Sequence, residues 1–128
     1  MAGKAASGRR ILPEVLLDRE ASFTPYISGG VEMDKLSWIP LNYDDESGTG
    51  SFLIRFAPGG ESRHHIHSGG EEFLMLEGEL IDDDGTVFKP GDYVHFAPGT
   101  SHSSKSPGGC LAIVQLGGRN KVTEDDTS

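Results

Sequence analysis

Short apolar segments separated by glycine- or proline-containing turns make up most of this sequence. The 128 residues include 18 Gly and 7 Pro, and these two residue types interrupt helices and mark turns. Many short strands joined by such turns are typical of a β-sandwich or a β-barrel. The sequence therefore predicts an all-β fold. The predicted strands are 36–41, 51–57, 62–67, 72–76, 79–81, 86–89, 93–97 and 110–116.

The length of the chain predicts a single domain, because 128 residues bury one hydrophobic core and are too few for two. Residues 1–10 and 118–128 are small, polar and charged, and they are predicted to be a disordered N-terminal tail and a flexible C-terminal tail. Residues 11–35 form a predicted N-terminal extension, in which the weakly amphipathic segment 11–20 is either one helical turn or an edge strand. The region 36–117 is expected to be the barrel.

Charge and cysteine usage limit the partners and the compartment. The formal net charge is −9 and the basic residues form no extended stripe, so nucleic acid and anionic membranes are not expected partners. No segment has the apolar length of a signal peptide or a membrane span. The one cysteine, Cys110, lies in an apolar run and is expected to be buried. We therefore expect a cytoplasmic protein without an internal disulfide.

The run HIHSGGE, from His65 to Glu71, carries the candidate chemistry. Side chains two residues apart point to the same side only on an extended strand, so His65 and His67 converge if this segment is a strand. The Ser-Gly-Gly turn lets Glu71 fold back toward them. His102, several strands later, is placed to complete the set. Imidazole nitrogens and a carboxylate suit a divalent transition ion such as iron, nickel, manganese or zinc.

The spacing around these residues matches a known motif, G-x5-H-x-H-x3,4-E-x6-G. Gly59, His65, His67, Glu71 and Gly78 occupy all of its fixed positions. A second motif, G-x5-P-x-G-x2-H-x3-N, is matched from Gly91 to His102 with two departures. Ala97 stands at the proline position and Ser106 at the asparagine position. Neither departure removes a candidate ligand.

These two motifs resemble those of the cupin superfamily, over about residues 36–116. The resemblance implies a double-stranded β-helix (jelly-roll) barrel, four metal ligands (His65, His67, Glu71 and His102), one divalent transition ion per chain and a homodimer. The segments HSGGEEFLMLEGEL and PGDYVHFAPGTSHSSKSPGGC look most like the cupin domain of ChrR-type anti-sigma factors. They also resemble small cupins that cleave acetylacetone or dihydroxyacetophenone with iron. ChrR-type proteins bind a sigma factor through a zinc domain with a Cys-x-x-Cys pair, so with one cysteine this chain is not expected to inhibit a sigma factor.

The resemblance implies several functions, which the sequence leaves open. We expect an iron-dependent dioxygenase acting on a small diketone or hydroxyketone, because four protein ligands leave positions on an octahedral ion for substrate and dioxygen. In that mechanism Glu71 is a permanent ligand, a mobile ligand or a base. The alternatives are a non-catalytic ChrR-like sensor and a sugar isomerase or epimerase. The last is disfavoured because Lys and Arg do not cluster near the motifs.

Other residues have open roles. Glu72 competes with Glu71 for the ligand position, although the spacing to Gly78 favours Glu71. His64 is expected on the opposite face from His65, and His95 and Arg55 face either solvent or the pocket, with solvent preferred for Arg55. The triple aspartate at 82–84 is expected to be a hairpin turn rather than a calcium site. The candidates for the pocket wall are Trp38, Phe73, Met75, Phe88, Tyr93 and Phe96.

Overall fold

The computed structural model describes residues 23–123, and every regular element in this range is a β-strand. No helix within it is long and apolar enough to cross a membrane. The predicted tail at 1–10, the segment 11–20 and residues 124–128 lie outside the described residues. The strands are β1 (Thr24–Ser28), β2 (Val31–Asp44), β3 (Thr49–Phe56), β4 (Gly60–Glu61), β5 (His65–His67), β6 (Glu71–Gly78), β7 (Leu80–Asp82), β8 (Val87–Phe88), β9 (Tyr93–Phe96), β10 (Ser101–His102), β11 (Ser104–Ser106), β12 (Cys110–Leu116) and β13 (Asn120–Val122).

The strands form three antiparallel sheets. The largest has six strands in the order β1-β2-β3-β12-β6-β9, and the smaller two have the orders β10-β5-β13 and β4-β11-β7-β8. One cavity is lined by residues of the large sheet and of both smaller sheets, so the sheets enclose it. This arrangement confirms the predicted all-β, single-domain jelly roll.

The core follows the two-residue period of the central strands. In β3 the side chains of Phe52, Ile54 and Phe56 are buried in the core cluster, and in β12 those of Cys110, Ala112, Val114 and Leu116 are buried in the same cluster. Alternate residues of a strand face one side of the sheet, so the paired strands present a continuous apolar surface to the interior. The prediction that Cys110 is a small buried residue is confirmed, and burial raises the pKa of its thiol.

The regular strands extend further than the boundaries at 36 and 117. Strand β1 and the start of β2 lie in the predicted extension, and β13 lies in the predicted flexible tail. Strand β13 pairs with β5, with Asn120 opposite His67. The short strands β4, β10 and β11 are also absent from the sequence-based prediction. A segment of two or three residues is too short to show a two-residue period. It can be identified as a strand only from its pairing with a neighbouring strand.

Candidate metal centre

Three histidines come together on one face of the three-stranded sheet. His65 and His67 lie two residues apart on β5, and His102 on β10 pairs directly with His65. The centroids of their rings are 4.7–5.0 Å apart in each pair. The predicted convergence of His65 and His67 on a strand is therefore confirmed, and His102 lies on the short strand β10.

The carboxylate of Glu71 faces the histidines from the opposite, six-stranded sheet. Glu71 begins β6, directly after the turn that follows β5. Its Oε1 atom lies 3.2 Å from Nε2 of His67 and 3.9 Å from Nε2 of His65. One ligand atom from each of the four residues lies within 4.8 Å of the others. We call His65, His67, Glu71 and His102 the histidine–glutamate cluster.

Hydrogen bonds at Nδ1 determine which nitrogen of each ring carries the proton. Nδ1 of His65 donates to the carbonyl oxygen of Arg63 at 2.7 Å. The Thr100 hydroxyl donates to the carbonyl of Ala97 at 2.7 Å, so its oxygen accepts from Nδ1 of His67 at 2.9 Å. Both rings therefore keep a lone pair on Nε2.

His102 has the strongest acceptor of the three. Its Nδ1 lies 2.5 Å from Oδ1 of Asp82, and both side chains are buried. A carboxylate that accepts from the outer nitrogen of a histidine fixes its tautomer and makes the other nitrogen a better metal ligand. The predicted turn at 82–84 is confirmed, because the amide of Gly85 donates to the carbonyl of Asp82. Asp82 itself, however, belongs to the site.

The Nε2 atoms of all three histidines are buried without a hydrogen-bond partner among the described residues. They are lone-pair acceptors, and they face a carboxylate oxygen that is also an acceptor. Acceptors that face each other in a buried site repel unless a cation lies between them. Three imidazole nitrogens and one carboxylate oxygen are a donor set that divalent transition ions accept. The residues present therefore fit the expected ion.

The surroundings favour the protonation states that a metal requires. Burial lowers the pKa of His65, which favours the neutral ring. Burial by itself raises the pKa of Glu71, but positive charge at the imidazoles of His67 and His65, which a bound cation would supply in their place, and the amide of Asn120 stabilise the carboxylate and hold its pKa below the usual value. Nδ2 of Asn120 donates to Oε1 of Glu71 at 3.1 Å. A neutral imidazole and an ionised carboxylate are the ligand forms that bind metal.

The cluster opens into a cavity of about 510 Å³. Most of its wall is apolar or aromatic, and His65, Glu71 and His102 are its metal-binding side. Burial, followed by the charge of Glu71, raises the pKa of the Tyr26 phenol, which therefore stays neutral. Four rings contact one another along the wall: Tyr26, Trp38, Tyr43 and Phe52.

The neighbouring carboxylate, Glu72, points away from the cluster. Its Oε2 lies 3.0 Å from Nδ1 of the exposed His95, and its Oε1 accepts from the hydroxyl of Tyr93, which is 64% exposed. Of the two glutamates, the structure brings Glu71 to the histidines, because successive residues of β6 face opposite sides of the sheet. Tyr93 and His95 do not line the cavity, so the prediction of Tyr93 as a wall residue is wrong.

The other open residues also lie outside the cluster. His64 contacts Thr123 through Nδ1 at 2.5 Å. The guanidinium of Arg55 lies 4.3 Å from the ring centre of Phe23, and its Nε donates to Ser37, so Arg55 faces away from the cavity, as expected.

Only some of the predicted wall residues line the cavity. Trp38 and Phe73 do, and Phe73 shares the inward face of β6 with Glu71, as their parity predicts. Met75 and Phe88 are buried in the core beyond it. Phe96 stacks on His67, with 4.8 Å between the ring centres, so it supports a ligand rather than the wall.

The two departures from the second motif have local explanations. Ala97 is exposed, and its carbonyl accepts from the Thr100 hydroxyl, a bond that needs no proline ring. Ser106 is fully buried, and its hydroxyl donates to the carbonyl of Glu79 at 2.6 Å. The Ala97 contact orients the hydroxyl that accepts from Nδ1 of His67, whereas the Ser106 contact does not involve the histidine–glutamate cluster.

Sequence reasoning missed Asp82, Thr100 and Asn120, which hold the ligands in place, and Tyr26, which lines the cavity. Residue type and spacing carry no sign of these roles, since each depends on pairing between distant strands. The sequence places Asp82 in a turn and Asn120 in a tail.

Replacing Asp82 by Ala is expected to weaken metal affinity about 10- to 100-fold, because the ring of His102 loses the acceptor that orients it. Asp82→Asn keeps an acceptor oxygen and is expected to lose less. Titration calorimetry against a competing chelator measures both. Asp84→Ala, an exposed change in the same turn, is the control, and equal losses in the Asp82→Ala and Asp84→Ala variants would contradict this role.

Comparison with known proteins agrees with this geometry. The family described as the ChrR cupin-like domain matches residues 19–119. No curated protein sequence matches the chain significantly. Several solved structures have a similar fold. An acetylacetone dioxygenase from Acinetobacter johnsonii has a TM-score of 0.73 at 15% identity, covering 96% of this chain and 86% of that one.

Two further structures extend the likeness. A protein of unknown function with a cupin-like fold from Ralstonia eutropha JMP134 has a TM-score of 0.66 at 24% identity, covering 80% of this chain and 71% of that one. The polyketide cyclase RemF from Streptomyces resistomycificus has a TM-score of 0.62 at 17% identity, covering 91% and 85%. At these identities the likeness shows the shared fold.

Proposed function

The chain belongs to the ChrR cupin-like domain family, and from this premise we propose that it is a metal-dependent enzyme of the dioxygenase type. It binds one divalent transition ion, iron(II) in the working enzyme, through the histidine–glutamate cluster. Its substrate is an oxygenated organic molecule such as a diketone or a hydroxyketone. The homodimer and the cytoplasmic location stay predictions.

One observation carries this proposal: three buried imidazole nitrogens, which find no partner within residues 23–123, face the carboxylate of Glu71. A structural histidine normally has both ring nitrogens satisfied or exposed to water. Here each Nδ1 is satisfied and each Nε2 is not. The energetic cost of burying three unpaired acceptors is offset when a cation binds them.

The ion, when bound, supplies Lewis acidity that favours the anionic, chelating form of the substrate and its reaction with dioxygen. The protein residues do the rest. Nδ2 of Asn120 donates to Oε1 of Glu71 and so positions this carboxylate. Glu71 then acts either as a permanent ligand or as the base that accepts a proton from an incoming enol. The neutral hydroxyl of Tyr26 is a donor in the same cavity. The apolar wall excludes bulk water from the reacting groups.

The acetylacetone dioxygenase of Acinetobacter johnsonii shares the fold, which makes C–C cleavage of diketones the first reaction to test. After anaerobic reconstitution with iron(II), addition of oxygen is expected to give substrate-dependent oxygen uptake. A variant with His102→Gln is the matched control and is expected to show none. Absence of uptake across a broad panel of diketones and hydroxyketones would exclude the proposed reaction.

A sensor is the second candidate, and the family match itself favours it, since the matching family is named for ChrR. In that case the same ion is structural or receives an oxidant or small ligand. A metal-loaded protein that consumes no oxygen with any substrate, but binds a regulatory protein, would support the sensor.

A further inference from the structure

The cavity beside the histidine–glutamate cluster is larger than a small diketone requires. Its volume of about 510 Å³ equals that of about 17 water molecules at roughly 30 Å³ each. Cavities of about 300–1,000 Å³ enclose drug-sized ligands. A five-carbon diketone such as acetylacetone would leave most of this space to water against an apolar wall. The volume therefore points to a larger occupant.

The wall carries a continuous set of aromatic rings, Tyr26, Trp38, Tyr43 and Phe52, which we call the aromatic panel. Ring centres of Trp38 lie 5.2 Å from those of each of the other three. Phe52 also lies 6.0 Å from Tyr26 and 5.8 Å from Tyr43. All four line the same cavity as His65, Glu71 and His102. Aromatic side chains favour stacked or edge-to-face contacts with other flat rings, so a wall of this composition suits an aromatic ligand.

The two guanidinium groups at the cavity make contacts with the main chain. Nη1 of Arg63 donates to the carbonyl of Ser28 at 3.1 Å. Nη2 of Arg119 donates to the carbonyls of Asp45 and Glu46. Both guanidinium groups are tied to the main chain, and the acidic Asp45 also lines the cavity. The aromatic rings of the wall carry no charge themselves, so they favour an uncharged ring system in the part of the ligand that packs on them.

We propose that the substrate is a planar aromatic molecule of at least two fused rings, whose ring system packs on the aromatic panel and whose adjacent oxygen pair points to the histidine–glutamate cluster. The inference that the oxygen pair of this ligand binds the metal rests on the proposed function. The inference that its rings bind the panel rests on the cavity volume and on the four aromatic side chains.

Lawsone (2-hydroxy-1,4-naphthoquinone) is a probe with two fused rings and adjacent oxygens, and acetylacetone is the small chelator for comparison. Trp38 is the only tryptophan in the sequence, so its fluorescence reports on the panel directly. Iron(II)-loaded protein under anaerobic conditions is expected to bind lawsone about 10-fold more tightly than acetylacetone, by fluorescence quenching and by calorimetry. Equal affinities would overturn the inference.

A panel variant tests where the rings bind. Tyr43→Ala is expected to weaken lawsone binding about 5-fold and to leave acetylacetone unchanged, and Tyr43→Leu keeps apolar volume if the alanine variant folds poorly. Tyr93→Ala, at an exposed ring outside the cavity, is the control. Lawsone binding that is unaffected by both Tyr43 changes would also overturn the inference.

The same measurements separate this inference from the proposed function. Metal binding together with equal affinities for the two probes refutes the inference and leaves the metal-dependent enzyme intact. Absence of metal binding together with panel-dependent lawsone binding refutes the enzyme and supports the ring site. Calorimetry with the metal alone distinguishes the two outcomes, because heat of metal binding is present in the first and absent in the second.

Discussion

Addition of iron(II) or nickel(II) at about 1,000 times the dissociation constant is expected to stabilise the fold by about 4 kcal/mol, which raises Tm by about 10–20 °C for a domain of this size. The reason is electrostatic. Nε2 of His67 and Oε1 of Glu71 are 3.2 Å apart in a buried site, and a cation converts their repulsion into attraction to the ion. Anaerobic thermal unfolding with and without metal measures the shift.

Two histidine variants separate site binding from surface binding. His67→Gln removes a ligand whose side chain is fully buried, and its metal-induced shift is expected to fall to a few degrees or less. His95→Ala removes an exposed imidazole that contacts Glu72 on the outer face, and it is expected to keep the full shift. A shift of the same size in the His67→Gln variant and the unmodified protein would show that the ion binds elsewhere.

Replacing Gly69 by Ala is expected to destabilise the fold by about 3 kcal/mol and to weaken metal binding with it. A Cβ at this position would lie 2.2 Å from the main-chain carbon of Gly117 and 2.5 Å from the nitrogen of Gly118. Main-chain atoms cannot change rotamer as a flexible side chain does. The turn that contains Gly69 and the segment at Gly117 and Gly118 must therefore move apart. Gly69 lies in the turn between β5 and β6, and this separation displaces His67 from Glu71.

Chemical denaturation gives the loss of stability, and calorimetry gives the loss of affinity. Gly108→Ala is the matched control, because a Cβ there meets nothing within 4 Å, and it is expected to change both quantities little. If Gly69→Ala lowers stability while metal affinity stays unchanged, the turn does not position the two ligands. If neither changes, the close approach of the two segments is not required.

Local sequence suggested three residues of the histidine–glutamate cluster, His65, His67 and Glu71, whereas His102 was expected from the second motif. On an extended strand, the two-residue spacing of His65 and His67 places both side chains on the same side. The Ser-Gly-Gly turn that follows allows Glu71 to fold back toward them. The motif spacing to Gly78 favours Glu71 over Glu72 but leaves both open, and the structure decides between them, since adjacent residues of β6 face opposite sides of the sheet. These relations involve residues close in sequence, and their geometry follows from the backbone alone.

The parts of the site that escaped prediction depend on pairing between distant segments. Asp82 reaches His102 across 20 residues of sequence, and Asn120 reaches Glu71 across 49. Tyr26 comes from a strand in the predicted N-terminal extension. A residue in a short strand has no periodicity that marks it as buried, so its role is defined only when its neighbours are known.

By itself, the amino-acid sequence determined the all-β architecture and the strand that presents two imidazoles to one side, because backbone periodicity and turn chemistry act over a few residues. The choice between Glu71 and Glu72 was decided by the tertiary structure. Tertiary structure alone decided which acceptors orient the imidazoles, how large the cavity is and which rings line it. Those properties depend on strands that are distant in sequence and adjacent in the fold. Their pairing register is set by the packing of the whole core.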